Sequence, residues 1–539
     1  MAFASKIKNI IFATLLVYST VFHGAYFLGP LIVINIYLLF SIFFHKDEIK
    51  IDIIALLLML LWVVMVCSWL LFSLSLHEGF IEILKYAIFP LAYIYFKNVH
   101  TDKIDGAFFK VFVLIMIFGL LGVIGISPLP GMAASGTGRL QSFLGYANTA
   151  ALIMGIGAFY ATERFKTTKS KIQLILAAGF LAGLIFTLSR VTFVTFVLIY
   201  LLYIFRSVSL KPKIIATSGV ALIWIVLALF DSRIVDISFF SPTLVERYIS
   251  YFDALRVMLL HPFGLGVSNW QFMQFYYQSA PYSVRFIHNF YLQIGVDGGF
   301  LALGLIIAAL ALALVKAEKN LHFYIAIFIL SGAFFEVHFN FGLIIVYFAY
   351  VLKEIMPQQG WFFAISFAKP TILRYAVIIP VIPLVVMFIS NSFYNTGARH
   401  ESSRNPQAAY TAYSNALSVS LFNNSGLHFA LSRTSPDFQT AMFHLYNAHT
   451  LNPWDTNIIF SLAQGHLHGG NLELAYHYGS TLIDKFPFST RNQEFLYGVA
   501  NALESPNREI ALESLENRIQ EINADINTLF RHIDPYFQY

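Results

Sequence analysis

From its N-terminus to about Asn391 the chain returns repeatedly to apolar runs long enough to cross a bilayer. A helix of roughly 17–25 apolar residues spans the hydrocarbon core. Such runs lie at 9–23, 29–44, 51–73, 79–96, 110–127, 147–162, 172–187, 191–205, 213–231, 299–316, 322–335, 341–353 and 374–391. Only 12% of residues are charged, against roughly 25% in soluble domains. The expectation is an all-α, polytopic membrane protein of 12–13 transmembrane helices, followed by a helical domain.

The basic residues orient this array. Lys and Arg gather on the cytoplasmic side of membrane proteins. With the N-terminus (Lys6, Lys8) inside and the helices alternating, the inner segments hold Lys46, Lys50, Lys97, Lys103, Arg164, Lys169, Arg206, Lys211, Lys319 and Arg374, among others. The outer segments hold only Arg139, Arg190, Arg233, Arg247, Arg256 and Arg285, with no lysine in an outer loop. One miscounted helix would mix the two sets. The chain is therefore read as a multi-pass plasma-membrane protein with a cytoplasmic N-terminus and everything after Asn391 outside. The first apolar segment has a basic start but no small-x-small cleavage pattern, so it reads as an uncleaved anchor. The single cysteine, Cys67, rules out an intrachain disulfide. The net charge of +5 is the ordinary inside-positive bias and does not imply nucleic acid.

Three regions follow: a membrane domain at 1–395, its large outer loop at 231–298, and a more polar, amphipathic part at 396–539. The last contains a repeat. Leu451-Asn452-Pro453 and Lys485-Phe486-Pro487 place prolines 34 residues apart, the period of tetratricopeptide repeats. Ala441, Ala448, Leu462, Ala463 and Ala475 fall on its small or apolar positions, whereas His466 and Gly479 depart from it. Stacked helical pairs of this kind present a concave surface suited to a protein partner; an irregular helical cap without a binding role is the alternative.

Two apolar stretches look broken at an outer tip. Thr187-Leu188-Ser189-Arg190 interrupts the first, and Glu336-Val337-His338-Phe339-Asn340 the second. Charge at membrane depth is costly and usually faces a polar cavity. Arg190 has no acidic neighbour in its own segment, so its partner comes from elsewhere in the fold or from a ligand. Glu336, His338 and Asn340 can line the acceptor side or merely hydrogen-bond across a helix break, and the second role is the expectation.

The outer loop is where chemistry is expected. Its permanent cations are all arginines: Arg233, Arg247, Arg256 and Arg285. Arginine offers a planar fork of donors that suits phosphate. The loop closes on His288-Asn289, and histidine is the side chain that most readily exchanges a proton near neutral pH. His288 is the candidate base, with Asn289 to orient its imidazole. Asp297-Gly298-Gly299 follows and allows close backbone packing. Arg139 ends a glycine-rich outer loop flexible enough to fold over a ligand. Interfacial anchoring is expected for Arg233 and Arg285. Arg247 follows Glu246, which can simply pair with it.

Arg139 with Gly145-Tyr146-Ala147-Asn148, Leu188-Ser189-Arg190, Arg247 ahead of His261-Pro262-Phe263-Gly264-Leu265-Gly266, and His288-Asn289 with Gly299 occur in an order that resembles the bacterial O-antigen ligase and Wzy-type polymerase superfamily over roughly residues 120–310. Ala302 stands where the family's histidine motif has Gly, Thr or Tyr. The resemblance implies a GT-C type glycosyltransferase of the bacterial inner membrane that works outside the cytoplasm, with a glycan on undecaprenyl pyrophosphate as donor. Arg190, Arg247 and Arg139 would hold the pyrophosphate, with Asn148 in support, and His288 would deprotonate the acceptor hydroxyl so that the anomeric carbon inverts. Fixed guanidinium groups stabilise a leaving pyrophosphate without a metal. The first outer loop, His23–Gly29, carries no carboxylate, and Asp231, Asp236, Glu246 and Asp253 show no DxD or DxE spacing, so neither a metal nor another cofactor is expected. The acceptor (glycan, lipid or protein) stays open, protein O-oligosaccharyltransfer included. A flippase of lipid-linked sugars fits the broken helices, but its basic sites would have to be reachable from both leaflets. A membrane scaffold for the repeat domain would need no convergent polar residues.

Overall fold

A computed structural model describes residues 2–45, 48–98, 104–207, 242–357, 365–367 and 378–530 of the protein. In hydrocarbon a chain must satisfy its backbone hydrogen bonds internally, which a helix does. The described part of the membrane region is accordingly helical: α1 (Ala2–Val21), α2 (Leu28–Phe43), α3 (Ile53–Phe72), α4 (Leu76–Asn98), α5 (Ile104–Val123), α6 (Ala147–Thr168), α7 (Lys171–Phe186), α8 (Arg190–Ser207), α9 (Pro242–Leu260), α10 (Trp270–Tyr277), α11 (Phe290–Lys316), α12 (Leu321–Gly332), α13 (Gly342–Ile355) and α14 (Ile378–Ser402). Five of these, α3, α4, α5, α11 and α14, are each long and apolar enough to cross a membrane. Together they make an all-α polytopic membrane protein. Its only described strands are two three-residue pieces, Ile49–Ile51 and Ile365–Phe367, paired antiparallel with Lys50 opposite Ser366. The expected span at 213–231, and Arg233 beyond it, lie outside the described residues.

Helices α4, α6 and α13 form the interior and the others pack around them. Helix α6 is central because its small residues allow close approach. A Cβ added to Gly157 would stand 2.2 Å from the Phe180 ring, and one added to Gly155 would stand 2.5 Å from Phe328. Both expected helix breaks are present. Leu188, at φ +51°, separates α7 from α8, and residues 333–341 separate α12 from α13.

Several bounds differ from expectation: α1 and α5 start earlier, α14 runs on to Ser402, and the outer loop expected at 231–298 contains α9 and α10. The helix predicted over 299–316 starts at Phe290, because Asn289 caps it by accepting from the backbone N–H groups of Tyr291 and Leu292, each at 3.0 Å. Its polar first turns are buried and satisfied. Tyr86 donates to Asp297 at 2.8 Å, and Gln293 donates to the other Asp297 oxygen at 3.0 Å. The helix then bends at Gly299 (φ +74°), where a Cβ would lie 2.3 Å from the Pro262 carbonyl oxygen. The chain at 261–266 packs into this bend. Leu265 N–H donates to Val296 O at 2.7 Å and Phe300 N–H to Pro262 O at 3.0 Å.

Helix α14 continues unbroken past 395 into a run of amphipathic helices: α15 (Pro406–Ser418), α16 (Ser425–Thr434), α17 (Phe438–Leu451), α18 (Thr456–His468), α19 (Leu472–Lys485), α20 (Thr490–Ala502) and α21 (Asn507–Phe530). Each packs on the next. Pro453 and Pro487 sit just beyond the ends of α17 and α19. Those two ends seat on α10. Phe275 stacks on Phe486 with centroids 4.1 Å apart, Tyr276 meets Trp454 edge-on at 5.5 Å, and the Lys485 ammonium lies 3.8 Å over the Trp454 ring.

Candidate active site

Five separate segments converge at one end of the bundle. The loop before α6 brings Arg139. Gly136 (φ +80°) and Gly138 (φ +65°) turn it back so that Ala134 N–H donates to Arg139 O at 2.8 Å and Gly138 N–H to Ala134 O at 2.9 Å. The loop is therefore a tied turn, not a flap free to fold over a ligand. Its arginine is held at both ends of the fork. Nε donates to the Thr187 carbonyl at 2.8 Å and Nη2 to Asn148 Oδ1 at 2.7 Å. Arg190, first residue of α8, is exposed, and its charge is felt at Arg139.

The start of α6 brings Tyr146 and Asn148, and α9 brings Arg247. All three converge on Glu336, in the break between α12 and α13. Arg247 Nη2 and Asn148 Nδ2 both donate to Glu336 Oε1 at 2.6 Å, and Tyr146 Oη donates to Oε2 at 2.6 Å. Arg247 thus pairs with Glu336 and not with Glu246. The His288 ring lies on the same carboxylate, its Nδ1 3.5 Å from Oε2. That distance is long for a hydrogen bond, and Nδ1 is buried with no hydrogen-bond partner. Glu336 has 2% of its side chain exposed, Arg247 15% and His288 24%, so the carboxylate is sealed beneath a histidine that still meets solvent.

Burial alone would raise the Glu336 carboxyl, but the His288 ring, the Arg247 guanidinium and His338 outweigh it and hold it at about 2. A buried charge of this kind persists only when paired and hydrogen-bonded. His338 is fully buried and burial lowers it to about 4. Its neutral ring sits 3.1 Å from Thr149 Oγ1, leaving Nε2 without a partner.

The backbone that carries His288 is held from both sides. Ile287 N–H donates to Gln293 Oε1 at 2.9 Å, tying it to the Asp297–Tyr86 cluster. The Tyr251 hydroxyl reaches the carbonyl oxygens of His288 and, at 3.0 Å, Phe334. Asn289 spends its carboxamide oxygen on the α11 cap.

Arg139, Asn148, Arg247 and His288 therefore meet in one cluster, with Arg190 at its edge. Arg256 and Arg285 do not join it: Arg256 donates to Tyr277 O at 3.1 Å, and Arg285 pairs with Glu78 at 2.9 Å. Glu336 and Tyr146 are the members that sequence reasoning did not place there. One signal was available for Glu336, which is the only Asp, Glu, Lys or Arg between 321 and 352.

Residues 174–307 match the family model described as O-antigen ligase. No curated protein matches the chain. The matched segment contains Arg190, Arg247 and His288 and leaves Arg139, Tyr146, Asn148 and Glu336 on either side of it. It supports the O-antigen ligase family, and with it a membrane-embedded glycosyltransferase type of activity.

Proposed function

We propose that the protein transfers a glycan from undecaprenyl pyrophosphate to an acceptor hydroxyl at the outer face of the bacterial inner membrane, with inversion at the anomeric carbon. The observation that carries this is the gathering of Arg247, Arg139 and a partly exposed His288 around one carboxylate, Glu336, with Arg139 joined to it through Asn148. Arg247 and Arg139, with Arg190 beside them, receive the pyrophosphate. His288 takes the acceptor proton on Nε2, the nitrogen turned away from Glu336. The acceptor oxygen forms its bond to the anomeric carbon as the bond from that carbon to phosphate breaks, and the electron pair leaves with undecaprenyl pyrophosphate. The guanidinium groups stabilise charge that grows on this leaving group, and preorganised donors of this type are each worth roughly 10²–10³ in rate. The seating of the 396–539 helices on α10 favours an acceptor, glycan, lipid or protein, that those helices help to engage.

The test is transfer from purified undecaprenyl-pyrophosphate glycan in nanodiscs containing EDTA, with an acceptor panel. Wild type should consume donor without added metal, giving a ladder if it polymerises and one discrete product if it ligates. Arg247→Ala should lose roughly 10²-fold in rate. Donor untouched by wild type with every acceptor would reject transfer and favour a flippase.

A further inference from the structure

We propose that Glu336 competes with the donor phosphate for Arg247 and so gates the base: it accepts from Arg247 and turns to His288 when the donor takes that arginine. This rests on the transfer function proposed above and adds a role for a side chain outside the segment matched to the ligase family.

Three features of the site carry it. First, Arg247 presents its guanidinium to an anion already, at 2.6 Å, so an incoming phosphate competes with Glu336 Oε1 for the same donor. Asn148 is shared in the same way: it donates to Glu336 Oε1 at 2.6 Å while accepting from Arg139 at 2.7 Å, so both arginines are linked to one carboxylate. Second, His288 Nδ1 is buried, faces Glu336 Oε2 at 3.5 Å and has no hydrogen-bond partner. A buried polar atom without a partner costs about 1–3 kcal/mol, and a small approach of the carboxylate removes that cost. Third, Glu336 lies in the break between α12 and α13 and not within a helix, where a side chain can exchange partners without unwinding a turn.

The consequence is ordered. As the side chains stand, Arg247 and Asn148 donate to Oε1 and Tyr146 to Oε2 of the carboxylate, and His288 Nδ1 remains 3.5 Å from Oε2. Donor phosphate then accepts from Arg247. The carboxylate, relieved of that bond, accepts from His288 Nδ1–H, which fixes the tautomer with Nε2 as base and stabilises the imidazolium that forms when the acceptor proton arrives. No atom of Glu336 touches the substrate, so it is a positioning residue.

A gate and a merely structural carboxylate differ in the direction of one change. Glu336→Gln removes the competing anion and also the acceptor for an imidazolium. It should therefore bind donor more tightly, lowering KM several-fold to about tenfold, equivalent to roughly 1.4 kcal/mol, while kcat falls by about 10². Inorganic pyrophosphate, followed by thermal shift, should likewise bind the variant more tightly than wild type. Glu336→Asp should recover part of kcat and return KM toward wild type, and its folded yield guards against a Gln variant that fails to assemble. An unchanged or raised KM together with unchanged or weaker pyrophosphate binding in a folded Glu336→Gln protein would overturn the gate. Wild type that never consumes donor would instead overturn the transfer function, while the pyrophosphate measurement would still decide whether Glu336 competes with phosphate.

Discussion

At the scale of single residues, Glu336 ties the site together: its carboxylate is buried, accepts from Tyr146, Asn148 and Arg247, and stands 3.5 Å from His288 Nδ1. Its depressed carboxyl fixes a sign. A carboxylate whose folded value lies near 2 against an ordinary 4.5 contributes stability that is fully present above about pH 4.5 and is lost as pH falls toward 2. The unfolding midpoint of wild type minus that of Glu336→Gln should therefore be constant from pH 7 to about 5 and shrink below 4.5. A difference that grows on acidification would contradict the pairing. The sequence singles out His288 and Arg247 by an arginine-only loop closing on histidine, and Arg139 by a separate glycine-rich loop; the structure brings the three near one another. Glu336 was not legible in this way, because its partners Tyr146, Asn148, Arg247 and His288 stand 190, 188, 89 and 48 residues away in the chain. A lone acid at a helix break carries no mark of the cations it will meet.

At the level of elements, close backbone contact sets the position of the segment that carries His288. Apolar runs marked most of the membrane helices and both breaks, because those depend on local runs of side chains, but not α9 and α10 within the 231–298 segment. They misplaced the start of α11 by nine residues. Gln293, Asp297 and Gly298-Gly299 look like a loop, yet the two polar groups are satisfied inside the protein and the glycines accept the 261–266 turn. Gly299→Ala tests this packing. It combines a positive φ with a Cβ 2.3 Å from Pro262 O, and such strain costs on the order of 1–3 kcal/mol. The thermal midpoint should fall accordingly, and transfer activity should fall further than the midpoint alone explains, since the same bend supports the Ile287–Gln293 tie. Asn289→Ala removes the α11 cap at a cost of about 0.5–2 kcal/mol. Both variants at wild-type midpoints would mean that neither the bend nor the cap holds the segment.

At the scale of the whole molecule, the helices after 402 are anchored through aromatic pairs to α10, whose last residue, Tyr277, lies 2.8 Å from His261 Nε2 by its hydroxyl. The seating spans two regions that the sequence separates by more than a hundred residues, and the 34-residue spacing of Pro453 and Pro487 showed only that helical pairs recur, not what their ends touch. Trp454→Ala/Phe486→Ala removes both pairs, each worth about 0.5–1.5 kcal/mol beyond its buried area. The double variant should be cut faster by protease at the turn around 403–405 and should transfer several-fold more slowly. Unchanged protease resistance and rate would show that the seating is dispensable.

The proposed function turns on His288 taking the acceptor proton above an arginine-bound pyrophosphate. Single-turnover transfer by His288→Ala, with saturating donor and acceptor in nanodiscs, measures it most directly. The rate should drop by roughly 10²–10⁴ while donor binding, read by quenching or thermal shift, stays within about twofold of wild type, a free-energy change of roughly 0.4 kcal/mol. A His288→Ala enzyme that transfers glycan at the wild-type rate would contradict the account.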